Sequence, residues 1–437
     1  SMLFRPPVAI CDGRSYFIHD LPRELLSRPQ SPRTQPMLRF TTAGESHGPA
    51  LVSILEGMPA GLALLAADVD VDLVRRQQGY GRGRRMQIEQ DAVQFLSGVR
   101  AGETLGSPIA MLIPNRDWKS WQEIMDSAPR EGDPSPRKRS VTRPRPGHAD
   151  LSGAFKYDRD DARDILERAS ARETTARVAA GAICRKFLRD FGIAAGSHVI
   201  HLGGIDALRP PSMPNAADLN AAVDGSPLRT LDAAAEQKMI ERIDAAKKDG
   251  NTLGGIVEVI CDGAPVGLGS HVSWDRKLDG RLAAAIMSIP AVKGVEIGIG
   301  FESSRRPGSE VHDEIELHAN SARTGNVKRR TNRAGGLEGG ITTGEQLVVR
   351  VGMKPISTLM RPLGTVDFAT STPAAATAER SDVTAVPALG VIAEAMVCFI
   401  VAQAMLEKFG GDSISETKRN HDAYVAHIAG RIHERAE

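Results

Sequence analysis

The chain has 437 residues, a net charge of +1, 41% hydrophobic and 25% charged residues, which fits a soluble globular protein and excludes a disordered one. The balanced charge gives no overall attraction to nucleic acid or to an anionic membrane. Cys11, Cys184, Cys261 and Cys398 lie far apart with no CxxC pair, so neither a disulfide framework nor a zinc site is expected, and the setting is a reducing, cytoplasmic one.

Residues 1–36 carry scattered Pro and Arg, no sustained period and no signal-type apolar stretch. They read as an extension or leader without catalytic duty, with Met37 as a natural start and residues 37–437 as one large domain. A short strand is expected at 37–42. Strand-like runs at 51–56 and 256–261 each close on a turn containing Gly and Pro. Glu56-Gly57-Met58-Pro59-Ala60-Gly61-Leu62 recurs in form as Asp262-Gly263-Ala264-Pro265-Val266-Gly267-Leu268, and a helical stretch follows each turn, at 70–76 and 278–287. The recurrence points to two related halves that pack helices on a strand layer; two ordinary hairpin turns would read the same way.

An Ala-rich helix is expected over 160–191, ended by Gly192, and a charged amphipathic helix over 231–248, stopping at Gly250. A third spans 383–409, with Ser381 or Asp382 placed to cap it. Its apolar run, 385–406, has the length of a membrane span. Glu394, Gln403 and Pro387 within it favour a buried core helix, since a carboxylate in mid-span is costly in lipid. Strands, long helices and Gly-rich loops indicate a mixed α and β chain. No GxGxxG follows a strand and opens a helix, so a Rossmann unit is not expected.

Several loops hold residues suited to chemistry. Gly44-Glu45-Ser46-His47-Gly48 matches the G-x-S-x-G pattern of a nucleophile elbow, but the next residues read as a strand, not the helix that motif requires. Two flanking glycines there let a ligand approach the main chain beside His47. Residues 75–85 hold five arginines and three glycines. Guanidinium forks bind phosphate and carboxylate in bidentate fashion, and a small polyanion suits the segment better than RNA, for which interleaved aromatics would be needed. His148 follows a stiff Pro-Gly turn, near Asp150, and like His47 is a candidate for proton transfer.

Arg168 and Arg172, at i and i+4, would share a helix face beside Ser170, with small neighbours leaving room for a ligand; an ion-pair ladder using Glu167 and Glu173 is the plainer reading. Backbone amides at 331–340 are suited to an anion. Lys354-Pro355-Ile356-Ser357-Thr358 offers an amine and two hydroxyls on a stiff turn. Arg380 and Asp382 stand at the mouth of the last long helix.

Taken in order, residues 44–48, 79–89, 143–150, 168–181, 331–340, 354–358 and 380–382 resemble the signatures of the chorismate synthase family, over 37–420. The resemblance implies an α+β fold, a β-α-β sandwich with helices between antiparallel sheets, assembled as a homotetramer. It implies loss of phosphate from 5-enolpyruvylshikimate 3-phosphate to give chorismate. Reduced FMN would lend electron density and take it back, with no net redox change and no metal. By similarity His47 protonates the departing phosphate, His148 manages the proton on reduced flavin, and Asp382 relays the proton taken through the flavin. Ser46, Arg76, Arg82, Arg85, Ser170, Arg172 and Arg380 would hold the substrate. Arg168, Ala169, Ser170, Pro290, Ala291, Gly339, Lys354 to Thr358 and Arg380 would hold FMN.

Arg76 and Arg82 also match positions associated with NADP, although NADPH is expected only indirectly, through an external flavin reductase. No nucleic acid and no membrane partner is expected. Ala169 stands where the family commonly has serine, Pro290 where Asn or Gln is usual, and 311–330 is longer than typical. Two other classes compete. An RNA-binding protein would lose affinity steeply with salt, and a serine hydrolase would need Ser46 outright.

Overall fold

The computed structural model describes residues 8–11, 14–17, 38–83, 90–129, 138–319, 321–379 and 381–432. The chain divides into two units, Ser1–Met37 and Leu38–Glu437. In the first, Val8–Cys11 pairs antiparallel with Arg14–Phe17.

The second unit is built on two antiparallel sheets. The first has the order β1 (Arg39–Ala43), β2 (Ala50–Glu56), β6 (Ile109–Pro114), β3 (Gln94–Phe95). Period-two alternation turns Leu51, Ser53 and Leu55 of β2, and Ile109, Met111 and Ile113 of β6, into the core. The second sheet runs β8 (Ile205–Asp206), β7 (Ala194–Leu202), β9 (Gly255–Asp262), β13 (Leu347–Met353), β10 (Val292–Ile297).

The turn resemblance proves to be a structural duplication. Small hairpins, β4 (Val99–Arg100) with β5 (Glu103–Thr104) and β11 (Leu337–Glu338) with β12 (Ile341–Thr342), dock on the two Gly-Pro turns. Thr104 Oγ1 donates to the carbonyl of Pro59 at 2.6 Å and accepts from the amide of Leu62 at 3.0 Å. Thr342 Oγ1 does the same with Pro265 at 2.6 Å and Leu268 at 2.8 Å. Both hairpin turns take two residues of positive φ, Ala101-Gly102 and Gly339-Gly340. β6 then pairs with β2 as β13 pairs with β9.

The helices are α1 (Ala66–Gln77), α2 (Asp150–Tyr157), α3 (Arg163–Ala169), α4 (Thr174–Arg189), α5 (Ala216–Val223), α6 (Ala233–Lys248), α7 (Leu278–Met287), α8 (Val386–Phe409) and α9 (Ile414–Ala429). α4 packs on β1 and β2, α8 packs on β7 and β9, and the two helices pack on each other. They cross at Gly181, where a Cβ would stand 2.4 Å from that of Ala395. The apolar window of α8 is entirely buried, as a core helix requires. Glu394, at its centre, accepts from Arg75, Arg185, Arg229, Ser197 and Asn220. Asp72 and Asp224 balance the remaining guanidinium charge.

Two helix expectations need correction. The stretch 160–191 is not one helix: Ser170 is extended (φ −65°, ψ 143°) and its Oγ accepts from the amide of Arg172. That local bond replaces the helical one, as serine side chains do, and separates α3 from a short 3₁₀ turn (Ala171–Glu173) leading into α4. Arg168 and Arg172 therefore do not share a helix face. The last long helix begins at Val386 behind Ala385 and without a side-chain cap, because Asp382 is engaged elsewhere. The segment 311–330 forms a surface hairpin, Ile315–Leu317 with Val327–Arg329.

Candidate active site

The loop between β1 and β2 is anchored from below by α3. Gly44 (φ +104°) turns the chain where a Cβ would meet the carbonyl of Ala50 at 2.4 Å. Ser46 N donates to the carbonyl of Glu167 at 2.9 Å, and His47 N donates to the Glu167 carboxylate at 2.9 Å. That carboxylate also meets His47 Nδ1, at 2.9 and 3.0 Å. Asn115 donates to the carbonyls of Ser46 at 3.2 Å and Gly48 at 2.9 Å. Ser170 and Ser46 hydroxyls lie 3.1 Å apart. Trp121 stacks on His47, ring centroids 3.7 Å apart and 25° between planes. A strand, not a helix, follows this loop, so the elbow geometry of a serine hydrolase is absent.

Beside this loop, two arginines share one buried acid. Arg172 donates to both oxygens of Asp91, at 2.6 and 2.8 Å, and Arg76 reaches the same carboxylate at 3.8 Å. Arg76 is braced by Thr174 Oγ1 and the carbonyl of Ala171, both at 3.0 Å. Arg168 instead binds the carbonyls of Gly44 and Thr42, at 3.0 and 2.8 Å.

At the mouth of α8, Asp382 pairs with Arg82 at 3.2 Å and accepts from the amide of Gly83 at 2.6 Å. A further cluster forms around α2. Asp150 is fully buried and accepts from Arg145 at 2.8 Å and from His148 Nδ1 at 2.6 Å. Burial disfavours its charge, but His148 and Arg145 outweigh that and hold the carboxyl well below the usual range. Lys354 and Ser357 both donate to the carbonyl of Gly147, at 2.5 and 2.9 Å, and Arg145 donates to Thr358 at 2.7 Å. The amide of Lys354 donates to Ala291 at 3.0 Å, with Ala291 at φ +68°.

The chorismate synthase family model matches residues 38–406. This chain belongs to the chorismate synthase family. It is 58% identical over 391 residues to a chorismate synthase of Syntrophotalea carbinolica, covering 90% of this chain and 98% of that one. It is 56% identical over 410 residues to one of Corynebacterium jeikeium, covering 92% and 96%. A crystal structure of chorismate synthase superposes with a TM-score of 0.71 at 42% identity, covering 90% of this chain and 98% of the other.

Among the residues that chorismate synthase resemblance singled out, the structure gathers Ser46, His47, Arg168, Ala169 and Ser170 on one loop and helix end. Arg76 and Arg172 meet on Asp91, and Arg82 meets Asp382. The turn at 354–358 bonds the carbonyl of Gly147, the residue before His148, and the carbonyl of Ala291, which follows Pro290. Gly339 lies apart, in the β11–β12 turn beside His271. Arg85 and Arg380 lie outside the described residues. Sequence reading missed Asp91, Asn115 and Trp121, and it gave Glu167 to an intrahelical ion-pair ladder. Asn115 to Trp121 carries two of the three tryptophans of the chain, a signal that went unused.

Proposed function

We propose that this protein catalyses the 1,4-anti elimination of phosphate from 5-enolpyruvylshikimate 3-phosphate, giving chorismate and phosphate. The observation that carries the reading is the docking of the 44–48 loop on the junction between α3 and α4, where Ser46 meets Ser170 at 3.1 Å and the buried Arg172 and Arg76 share Asp91. Ser46, Ser170, Arg76, Arg82 and Arg172 hold the substrate's phosphate and carboxylates. His47 supplies a proton to the departing phosphate, where fixed positive charge stabilises the developing anion. Asp382, steadied by Arg82 and the amide of Gly83, relays the proton removed from C6. His148, held by Asp150, sets the protonation of the cofactor.

The turn at 354–358 suits flavin mononucleotide: the Lys354 ammonium and the Ser357 hydroxyl meet on the carbonyl of Gly147, and the Lys354 amide bonds the carbonyl of Ala291, whose φ is +68°. Pro290 offers no amide N–H there, and Ala169 no hydroxyl. Bound reduced flavin supplies electron density to the substrate and recovers it within the turnover.

We take residues 37–437 as the catalytic domain and 1–36 as an extension without catalytic duty. The succession of sheet, helices and sheet is read as the β-α-β sandwich, and the assembly as a cytoplasmic homotetramer whose flavin is reduced by an external reductase.

The test is anaerobic incubation with 5-enolpyruvylshikimate 3-phosphate and chemically reduced FMN. Equal release of chorismate and phosphate, lost when flavin is omitted or oxidised, supports the reading. Binding of both ligands without product refutes it.

A further inference from the structure

We propose that Glu167 is a positioning residue for His47: it keeps Nδ1 bound to its carboxylate, so that Nε2 is the atom that exchanges a proton with the leaving phosphate. The inference rests on the reading of His47 as the phosphate-side acid.

The residue is built into the loop at three points. Its main-chain carbonyl takes the amide of Ser46, and its carboxylate takes both the amide and Nδ1 of His47. Trp121, stacked on the imidazole, limits the ring to one plane, and its own Nε1 is fixed by Asp117 at 3.0 Å. The His47 side chain keeps 14% of its surface accessible while that of Glu167 keeps 1%. The acid is sealed and the ring still reaches the loop's open side.

Charges around the pair favour the ionised acid. Arg163, one helical turn earlier, donates to Glu167 at 3.0 Å and to Glu379 at 3.1 Å. The Arg139 guanidinium lies 4.4 Å from the Trp121 ring centre. Glu45, Lys138, Asp161 and Asp164 line the adjoining groove. Burial alone would raise the Glu167 pKa, but His47 and Arg163 outweigh it and the carboxyl sits below its usual range. An ionised carboxylate on Nδ1 stabilises the imidazolium and fixes which nitrogen works.

A merely structural Glu167 would hold the loop without touching the ring's acidity, and two readouts separate the cases. In the full-length protein labelled with ¹⁵N-histidine, Glu167→Gln retains an acceptor for Nδ1–H but not the charge. The titration midpoint of His47 is expected to fall by about one unit, a tenfold loss of acid strength. The alkaline limb of kcat, measured anaerobically with reduced FMN, should move down with it while KM stays within about twofold. Glu167→Asp should restore part of the shift. An unmoved His47 midpoint overturns the proposal. So does a Glu167→Gln loss of kcat that is equally large in a His47→Asn background, since the acid would then act independently of the ring. Wild-type turnover by His47→Asn alone removes the catalytic role of His47 itself, and with it the proposal, whatever the ring titration of Glu167→Gln shows.

Discussion

His47 and His148 are held alike, each with a carboxylate on Nδ1, but their acids are reached differently. Asp150 stands two residues from His148, whereas Glu167 stands 120 residues from His47. The first partnership was readable from spacing, and the second was not, because only the fold brings α3 under the 44–48 loop. The same distance hid Asp91, 81 residues from Arg172, and Asn115, 69 residues from Ser46. Asn115 shows what such a residue does. It bridges the carbonyls on either side of His47 and accepts from the amide of Asp117, which in turn holds Trp121. Asn115→Ala is expected to cost only about 1 kcal/mol of stability. Freed to shift, the loop should lose up to about a hundredfold in kcat/KM, since displacement of a reacting group by an ångström has that effect. Urea unfolding beside steady-state kinetics checks both.

At the level of elements, local signals were sound where one stretch of chain decides the outcome. Apolar runs closed by Gly-Pro turns located β2 and β9, Gly192 and Gly250 ended their helices, and the apolar run of α8 marked the core. They failed where a side chain competes with the backbone, as at Ser170, or where a would-be cap is claimed by another segment, as with Asp382. Glu394 illustrates the same point within α8. In sequence it argued against a membrane span; in the fold it draws together Arg75 of α1, Arg185 of α4 and Arg229, with Asp72 and Asp224 completing a charge-balanced cluster. Glu394→Ala leaves three guanidinium groups facing two carboxylates in a dry interior. The expected cost is about 3–5 kcal/mol, the range for removing one partner of a buried ionic group, read as a fall in the denaturant midpoint.

Across the whole molecule, two properties follow from the paired sheets. Glu258 of β9 lies buried between His198 and Arg350, with Arg209 close by. Burial opposes its charge, but these neighbours prevail and bring its pKa from the usual 4.5 down to about 2. The folded value is the lower one, so its contribution is fully present above pH 4.5 and drains away as the pH falls toward 2. Glu258→Gln should flatten the acid limb of stability in that window, measured by urea unfolding at stepped pH. The second property is equivalence. Thr104→Val and Thr342→Val each strip a buried amide of its acceptor. Each should cost about 1–3 kcal/mol, and the double variant close to the sum, because distant sites add.

The matched threonines and turns make two structural copies of one small frame within the chain. Between β1 and β2 the first copy keeps a six-residue crossing, 44–49, that carries Ser46 and His47; between β7 and β9 the second copy acquired β8, α5 and α6. α5 lies across β7 and β9, on the outer side of the second sheet. The chemistry proposed for Ser46 and His47 thus falls where the two copies differ, while their shared parts serve as frame. Such doubling predicts that substitutions tolerated at Thr104 and Thr342 are constrained alike, whereas those at His47 have no counterpart to mirror.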